Sequence, residues 1–110
     1  MNSEAQFQLV LTTCPDTESA SLIARALVES GAAACVNVLS GVESVYKWQG
    51  KITAAREHLL IVKAPSRNYA AIEALIRKRH PYELPEIVAV PIARGLDAYL
   101  RWLDDPDRTT

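Results

Sequence analysis

The stretch from Cys35 to Lys63 most constrains what this chain can fold into, because it has the pattern of a single long β-hairpin. One face of the first arm carries every second residue, namely Val42, Ser44, Tyr46 and Trp48. Gln49 and Gly50 then supply a two-residue turn, and the returning arm ends in the apolar run LLIV. Ser40-Gly41 interrupts the first arm and predicts a β-bulge there.

The predicted hairpin is too long to be covered by its own domain. Each arm of about 13 residues extends about 40 Å at roughly 3.3 Å per residue, whereas a compact domain of this size has a radius of gyration of about 13 Å. We expect the far half of the hairpin, with Tyr46, Trp48 and Ile52, to project beyond the core of its own domain. Since an isolated two-stranded ribbon is marginally stable, neighbouring copies are predicted to cover it in a symmetric homo-oligomer with strand pairing between chains. Alternatively, both strands stop at Ser40-Gly41 and the tip folds back over its own subunit.

The segment before the hairpin predicts one strand and one helix. The residues QFQLVLTT (6–13) alternate Phe7, Leu9 and Leu11 on one face with Gln8, Val10 and Thr12 on the other, which is the period of a strand. Asp16 is a suitable helix N-cap and Gly31 a suitable stop. Between them, one helical stripe carries Ala20, Ile23, Ala24, Leu27 and Val28.

The segment after the hairpin predicts a helix, an edge strand and a short closing helix. Ser66 is the expected N-cap of the first of these, which ends near Arg79 because Pro81 follows. Its apolar stripe is Tyr69, Ile72, Leu75 and Ile76, and Glu73 and Arg77 form an i,i+4 pair. Residues 86–92 are the strand, with Pro91 favouring an edge position. Residues 96–103 are the closing helix, with Leu96, Tyr99, Leu100 and Leu103 as its buried side.

The order β-α-β-β-α-β-α predicts an α+β fold, namely a ferredoxin-like βαββαβ sandwich with a long hairpin between its second and third strands and an extra C-terminal helix. We expect one domain over residues 1–110, with residues 1–5 and 105–110 frayed at its ends.

Charge and hydropathy exclude several classes of partner. The net charge of −1 gives no basic field for nucleic acid. No apolar run approaches the roughly 20 residues of a membrane span, and the N-terminus lacks the pattern of a signal peptide. We therefore expect no nucleic acid, no membrane and a cytoplasmic location, with Cys14 and Cys35 as reduced thiols.

Six segments in order are similar to those of one known family. They are TTCPD (12–16), GAAACVNVLSG (31–41), SVYKWQGK (44–51), EHLLIVKA (57–64), RHPYELPEIVAVPI (79–92) and YLRWL (99–103). Together they resemble the CutA family, the divalent-cation tolerance proteins. The resemblance implies a ferredoxin-like subunit in a cytoplasmic homotrimer, related in shape to the PII signalling proteins. It also implies a link to copper and other divalent metals, without an obligatory cofactor.

The sequence has no local metal signature such as CxxC or HxxxH. Its candidate metal ligands are Cys14, Cys35 and His80, whose thiols and imidazole suit copper or zinc. Copper, which heads the divalent affinity series, is the metal that the resemblance implies. Cys14 precedes a helix N-terminus, which is expected to lower its pKa. The alternatives are that both cysteines are small buried apolar groups and that His80 is a helix C-terminal cation or a packed ring. His58 fits a core or interface role better than a ligand role.

A second candidate site is a cleft between subunits, at which the hairpin and the segment after the second main helix would meet. Its expected residues are Tyr46, Trp48, Glu57, Lys63, Tyr82 and Glu86. The alternative is that Trp48 and Tyr82 anchor an interface, while Lys63 forms a structural ion pair with Glu86 or Glu57.

Three classes of function remain open from the sequence. The first is a non-catalytic homotrimer that binds or responds to divalent metal. The second is a PII-like signalling trimer that binds a small anion or nucleotide, although the glycine-rich phosphate cradle of such sites is not found. The third is an enzyme, which is not expected because Cys14 with His80 is the only conceivable nucleophile and base pair.

Overall fold

The computed structural model describes residues 5–107. Its strands are β1 (Phe7–Cys14), β2 (Cys35–Trp48), β3 (Lys51–Pro65) and β4 (Val88–Pro91), and its helices are α1 (Thr17–Glu29), α2 (Tyr69–Arg79) and α3 (Asp97–Asp104). The strands form one sheet in the order β2-β3-β1-β4, and all of its pairs are antiparallel. The predicted α+β class and element order are confirmed, and β4 is an edge strand as Pro91 indicated.

The hydrophobic core lies between the sheet and the two main helices. Its members are Val10, Cys14, Ala20, Ile23, Leu27, Ala32, Ala33, Leu60, Val62, Ala64, Ile72 and Ile76. Val10 and Thr12 of β1 are fully buried on this side, whereas Phe7 and its alternate neighbours are only half-buried on the other. The less apolar face of β1 is therefore the one that meets the helices.

We call the side of the sheet away from α1 and α2 the open face. By strand register it includes Phe7, Leu9, Leu11, Cys35, Val42, Tyr46, Trp48, Glu57, Ile61, Lys63, Val88 and Val90. This face is largely apolar, and α1 and α2 do not cover it. Exposed apolar area of this kind is typical of an interaction surface.

The β2–β3 hairpin is continuous from its base to its tip. Pairing runs from Cys35 opposite Lys63 to Trp48 opposite Lys51, with one register shift between Leu39 and Val42, so the predicted bulge is confirmed. The longest dimension of the protomer is 50 Å and its radius of gyration is 15.0 Å, larger than the roughly 13 Å of a compact domain of this length. The hairpin therefore projects, and the alternative of a tip folded back over its own subunit is wrong.

The hairpin tip is exposed on both faces. Trp48 is 61% exposed and Ile52 is 78% exposed. Gln49 and Gly50 have φ angles of 51° and 79°, which are the two left-handed conformations that a tight hairpin turn requires. The turn itself is thus well formed, while the apolar side chains beside it have no cover within one chain.

Helix α1 begins and ends where the sequence predicts. The carboxylate of Asp16 accepts a hydrogen bond of 2.7 Å from the backbone N–H of Ser19, and Gly31 follows the helix with a φ of 81°. The buried side is narrower than expected, because Val28 is exposed.

Helix α2 begins later than predicted. Residues Ser66–Asn68 form a 3₁₀ turn before it, and the Ser66 hydroxyl donates to the carbonyl of Ala5 instead of capping the helix. The predicted Ser66 cap is therefore wrong. Glu73 is also not paired with Arg77, because it accepts a hydrogen bond of 2.9 Å from the Tyr69 hydroxyl. The predicted end at Arg79 is confirmed.

An ion pair of 2.7 Å between Arg67 and Asp104 joins helix α3 to the 3₁₀ turn that precedes α2. Leu103 is its fully buried residue, whereas Leu96, predicted to be buried, is 76% exposed at the position before the helix. Fraying was predicted for residues 1–5 and 105–110, of which residues 1–4 and 108–110 lie outside the described residues. Within residues 5–107, no helix is both long and apolar enough to span a membrane.

Candidate functional site

His80 fastens the segment after α2 to the end of β1. Its Nε2 lies 2.7 Å from the carbonyl oxygen of Thr13, and its Nδ1 lies 3.0 Å from the backbone nitrogen of Tyr82. Because a carbonyl can only accept and a backbone N–H can only donate, Nε2 carries the proton and Nδ1 accepts. Both ring nitrogens of this buried imidazole are therefore occupied by backbone groups within one chain.

The same segment brings Tyr82 to Glu57, at the base of the hairpin. The Tyr82 hydroxyl donates a hydrogen bond of 2.8 Å to the Glu57 carboxylate. Although 37% of Tyr82 is exposed, its hydroxyl points inward, and its burial raises the pKa of Tyr82 to about 12, with the hydrogen bond to Glu57 acting in the same direction. The phenol is thus held as a neutral donor to a buried carboxylate.

Cys14 is fully buried on the helix-covered side of the sheet. Burial raises the pKa of its thiol to about 11, even though a hydrogen bond with the Ser19 side chain acts in the opposite direction. The predicted lowering of this pKa by the N-terminus of α1 is therefore wrong, because loss of hydration outweighs the helix end. As the structure places it, Cys14 is a protonated, apolar core group.

Cys35 lies on the other side of the sheet from Cys14. Cys14 is opposite His58 in the β1–β3 register, whereas Cys35 is opposite Lys63 in the β2–β3 register. Because side chains alternate between faces along β3, His58 and Lys63 point to opposite sides, and so do their cysteine partners. Both cysteines are free, and they cannot ligate the same ion within one protomer. Among residues 5–107, no three His, Cys, Asp or Glu side chains are grouped to hold a metal.

His58 links the bulge of β2 to the start of α1. Its Nδ1 lies 3.1 Å from the Ser40 hydroxyl, and its Nε2 lies 3.4 Å from the Thr17 hydroxyl. This bridging role agrees with the structural reading of His58. Ser19 was not among the predicted site residues, yet it hydrogen-bonds both Asp16 and Cys14. Its position three residues after an N-cap is a recognisable signal for such a role.

Four of the six predicted cleft residues share the open face by strand register, namely Tyr46, Trp48, Glu57 and Lys63. Glu57 and Lys63 are six residues apart on β3, which separates them by about 20 Å. The alternative of an ion pair between them within one chain is therefore wrong. Lys63 instead places its Nζ 6.0 Å from the centre of the Tyr99 ring. Of the two remaining members, Tyr82 reaches Glu57 from the segment after α2, and Glu86 is exposed in the segment before β4.

The described residues offer little machinery for covalent catalysis. Cys14 and His80, the only conceivable nucleophile and base pair, do not form a dyad, because the His80 nitrogens are bonded to backbone groups and the Cys14 thiol is held protonated. A groove of about 860 Å³ lies between β1, β4 and α3, where Phe7, Pro91 and Leu100 line it. It contains none of the nine candidate residues, so it is separate from the site around Glu57.

Comparison with known proteins decides the family. The sequence matches the family described as CutA1 divalent ion tolerance protein over residues 8–106, which is most of the chain and includes every candidate residue. The chain belongs to the CutA1 family. It is 46% identical over 96 residues to the divalent-cation tolerance protein CutA of Thermus thermophilus, covering 87% of this chain and 93% of the relative.

Solved CutA1 structures share the fold. CutA1 from Oryza sativa superposes with a TM-score of 0.90 at 34% identity, covering 99% of this chain and 100% of that chain. CutA from Archaeoglobus fulgidus, described as a periplasmic divalent cation tolerance protein, gives a TM-score of 0.86 at 39% identity and covers 88% and 94%. The names of the Thermus thermophilus and Archaeoglobus fulgidus relatives describe tolerance of divalent cations. The chain spans 51–62% of the length of the plant and vertebrate relatives it matches.

Proposed function

We propose that this chain is a non-catalytic homotrimer that protects the cell against excess divalent metal, with copper as the metal to which it responds. Membership of the CutA1 family supports the link to divalent metals. The observation that carries the assembled state is the hairpin, which extends beyond its own core and exposes Trp48 and Ile52. A second and third copy would cover this ribbon and the open face.

The metal site of this proposal would draw on residues from more than one copy. Cys14 and Cys35 lie on opposite faces of the sheet, and both nitrogens of His80 are bonded within the protomer. The thiol of Cys35 is half-buried on the open face, which makes it the most accessible of the three predicted ligands. Soft thiolates favour Cu(I), and copper binds most tightly of the first-row divalent ions.

We also propose a cytoplasmic location. The two cysteines are free and are placed where they cannot form a disulfide with each other, which suits a reducing compartment. The relative from Archaeoglobus fulgidus is described as periplasmic, so fractionation of cells that express the full-length protein is the direct measurement of location.

The test of metal binding is a calorimetric titration of the purified protein with Cu(I) under anaerobic conditions, which prevents oxidation of the thiols. We expect heat of binding from the wild type, a loss in Cys35→Ser, and a smaller change in Cys14→Ala because that thiol is inaccessible. The matched control is His58→Ala, which removes an imidazole that is not among the predicted ligands. Equal heats from the wild type and the Cys35→Ser variant would exclude Cys35 as a ligand, and no heat from the wild type would exclude direct binding of Cu(I).

A further inference from the structure

Glu57 is a buried acid that forms no ion pair within residues 5–107. Its side chain is 8% exposed, and the hydroxyl of Tyr82 is its hydrogen-bond partner among the described residues. The two ion pairs within residues 5–107 join Arg67 to Asp104 and Arg101 to Asp97. A buried carboxylate with a single neutral donor is poorly compensated for its lost hydration.

Lys63, a cation on the same face, also forms no ion pair within residues 5–107. It is half-buried, and its cross-strand neighbours on the open face are Leu9 and Cys35. Its nearest charge-stabilising contact is the Tyr99 ring, whose centre is 6.0 Å from Nζ, at the outer limit of a cation–π interaction. Neither Glu57 nor Lys63 can satisfy the other within a chain, because they lie about 20 Å apart along β3.

In a closed ring of identical chains, one surface of each copy meets a different surface of the next, so one protomer can supply the anion and its neighbour the cation. We propose that Lys63 of one copy pairs with Glu57 of the next and completes a site that a single chain leaves unfinished. This inference rests on the proposed homotrimer and names the charged contact that closes it. Tyr82 would hold the carboxylate in place for the incoming ammonium group.

Two other charged residues, Lys51 and Glu86, are less suitable members of an ion pair between copies than Lys63 and Glu57. Lys51 is also six residues from Glu57 and also lies on the open face, but it is exposed at the hairpin tip. Glu86 is likewise exposed. Exposed charges keep their hydration and gain little from pairing, whereas Glu57 and Lys63 are the charges of this face that are withdrawn from water.

The test is a charge-swap cycle followed by light scattering over a range of dilutions. We expect Glu57→Lys and Lys63→Glu each to shift dissociation of the assembly to concentrations at least about tenfold higher, because each places like charges in one interface. The double variant restores the opposite charges and is expected to return close to the wild type. Lys78→Glu, a charge reversal at an exposed position of α2 outside the open face, is the matched control and is expected to leave dissociation unchanged.

A second double-mutant cycle uses neutral substitutions, because reversing a charge at a buried position can prevent folding. Glu57→Gln keeps an acceptor for Tyr82, and Lys63→Met keeps the apolar stem, so both are expected to fold by circular dichroism. If the effects of Glu57→Gln and Lys63→Met on dissociation of the assembly are additive, the two side chains do not pair. The proposed trimer would still stand in that case, provided that the wild-type mass is that of three chains. Rescue of Glu57→Lys by Lys51→Glu, in place of Lys63→Glu, would also overturn this pairing. A wild-type mass of one chain would instead contradict the proposed function itself.

Discussion

At the scale of single residues, both ring nitrogens of His80 are hydrogen-bonded to backbone groups, so the imidazole already has a structural role. Replacing it with Ala leaves the Thr13 carbonyl and the Tyr82 N–H without their partners. An unsatisfied buried polar group costs about 1–3 kcal/mol, so we expect the free energy of unfolding in urea to fall by roughly that amount. His58→Ala, which removes hydrogen bonds to two exposed hydroxyls, is the control and is expected to cost less. Equal stability of His80→Ala and the wild type would contradict the link.

Tyr82 gives the protein a specific sensitivity to alkaline pH. Its pKa is about 12 in the folded state, above the ordinary value of 10.0, chiefly because of burial. A raised pKa of this kind contributes stability that is fully present below the unfolded value and is lost as the pH rises from about 10 to about 12. We expect urea midpoints to decline across that interval, and the decline to be smaller in Tyr82→Phe. Identical pH profiles for the two proteins would show that the phenol is not perturbed.

Cys14 is expected to react slowly with thiol reagents. Its pKa of about 11 leaves little of the reactive thiolate at neutral pH, and the side chain is fully buried. The measurement is the rate of labelling by a disulfide reagent in a Cys35→Ser background, compared between the native state and urea. We expect native labelling to be slower by orders of magnitude. Comparable rates in both states would mean that the thiol is accessible and that its burial is misassigned.

At the scale of elements, the hairpin depends on a turn that only certain residues can adopt. Gly50 has a φ of 79°, and no atom lies within 4 Å of the position that a Cβ would take there, so a substitution is disfavoured by the backbone alone. Left-handed geometry costs roughly 1–2 kcal/mol for a residue with a side chain. We expect Gly50→Val to lower the free energy of unfolding by about that amount, as read from chemical denaturation.

The neighbouring position supplies the control for this turn. Gln49 also has a positive φ, which asparagine tolerates better than most residues, so Gln49→Asn is expected to be neutral or stabilising. A destabilising Gln49→Asn together with a neutral Gly50→Val would show that the turn has another conformation.

The sequence patterns predict the elements better than they predict which faces the elements bury. Period-two alternation identifies β1 but cannot say which side meets the helices, and the structure buries Val10 and Thr12 there instead of the more apolar Phe7 side. Ser66 has the right chemistry for an N-cap, yet its hydroxyl donates a hydrogen bond to the Ala5 carbonyl, because the chain makes a 3₁₀ turn before the helix. These choices depend on contacts distant in sequence, which local patterns do not contain.

The candidate site shows the same division between local and distant information. The sequence places Glu57 and Tyr82 in one cleft between subunits, and the structure joins the two side chains by a hydrogen bond within a single chain. It could not foresee that both nitrogens of His80 bind backbone groups, since a backbone partner leaves no trace in residue type. It also misjudged the Cys14 thiol, because depth of burial depends on how α1 and α2 pack over the sheet.

At the scale of the whole molecule, one protomer is visibly incomplete. Its open face is largely apolar, its hairpin extends the longest dimension to 50 Å, and a buried carboxylate and a half-buried lysine on that face form no ion pair within residues 5–107. A single explanation covers all three features, because further copies of the chain would bury the apolar area, support the ribbon and pair the charges.

The mass of the protein in solution tests this account most directly. Light scattering on material eluting from a sizing column should return about 36 kDa, three times the 12.1 kDa of one chain, and the value should hold on dilution. A mass near 12 kDa from a sample whose circular dichroism shows it to be folded would mean that the ribbon stands alone in water, and the proposed assembly would have to be abandoned.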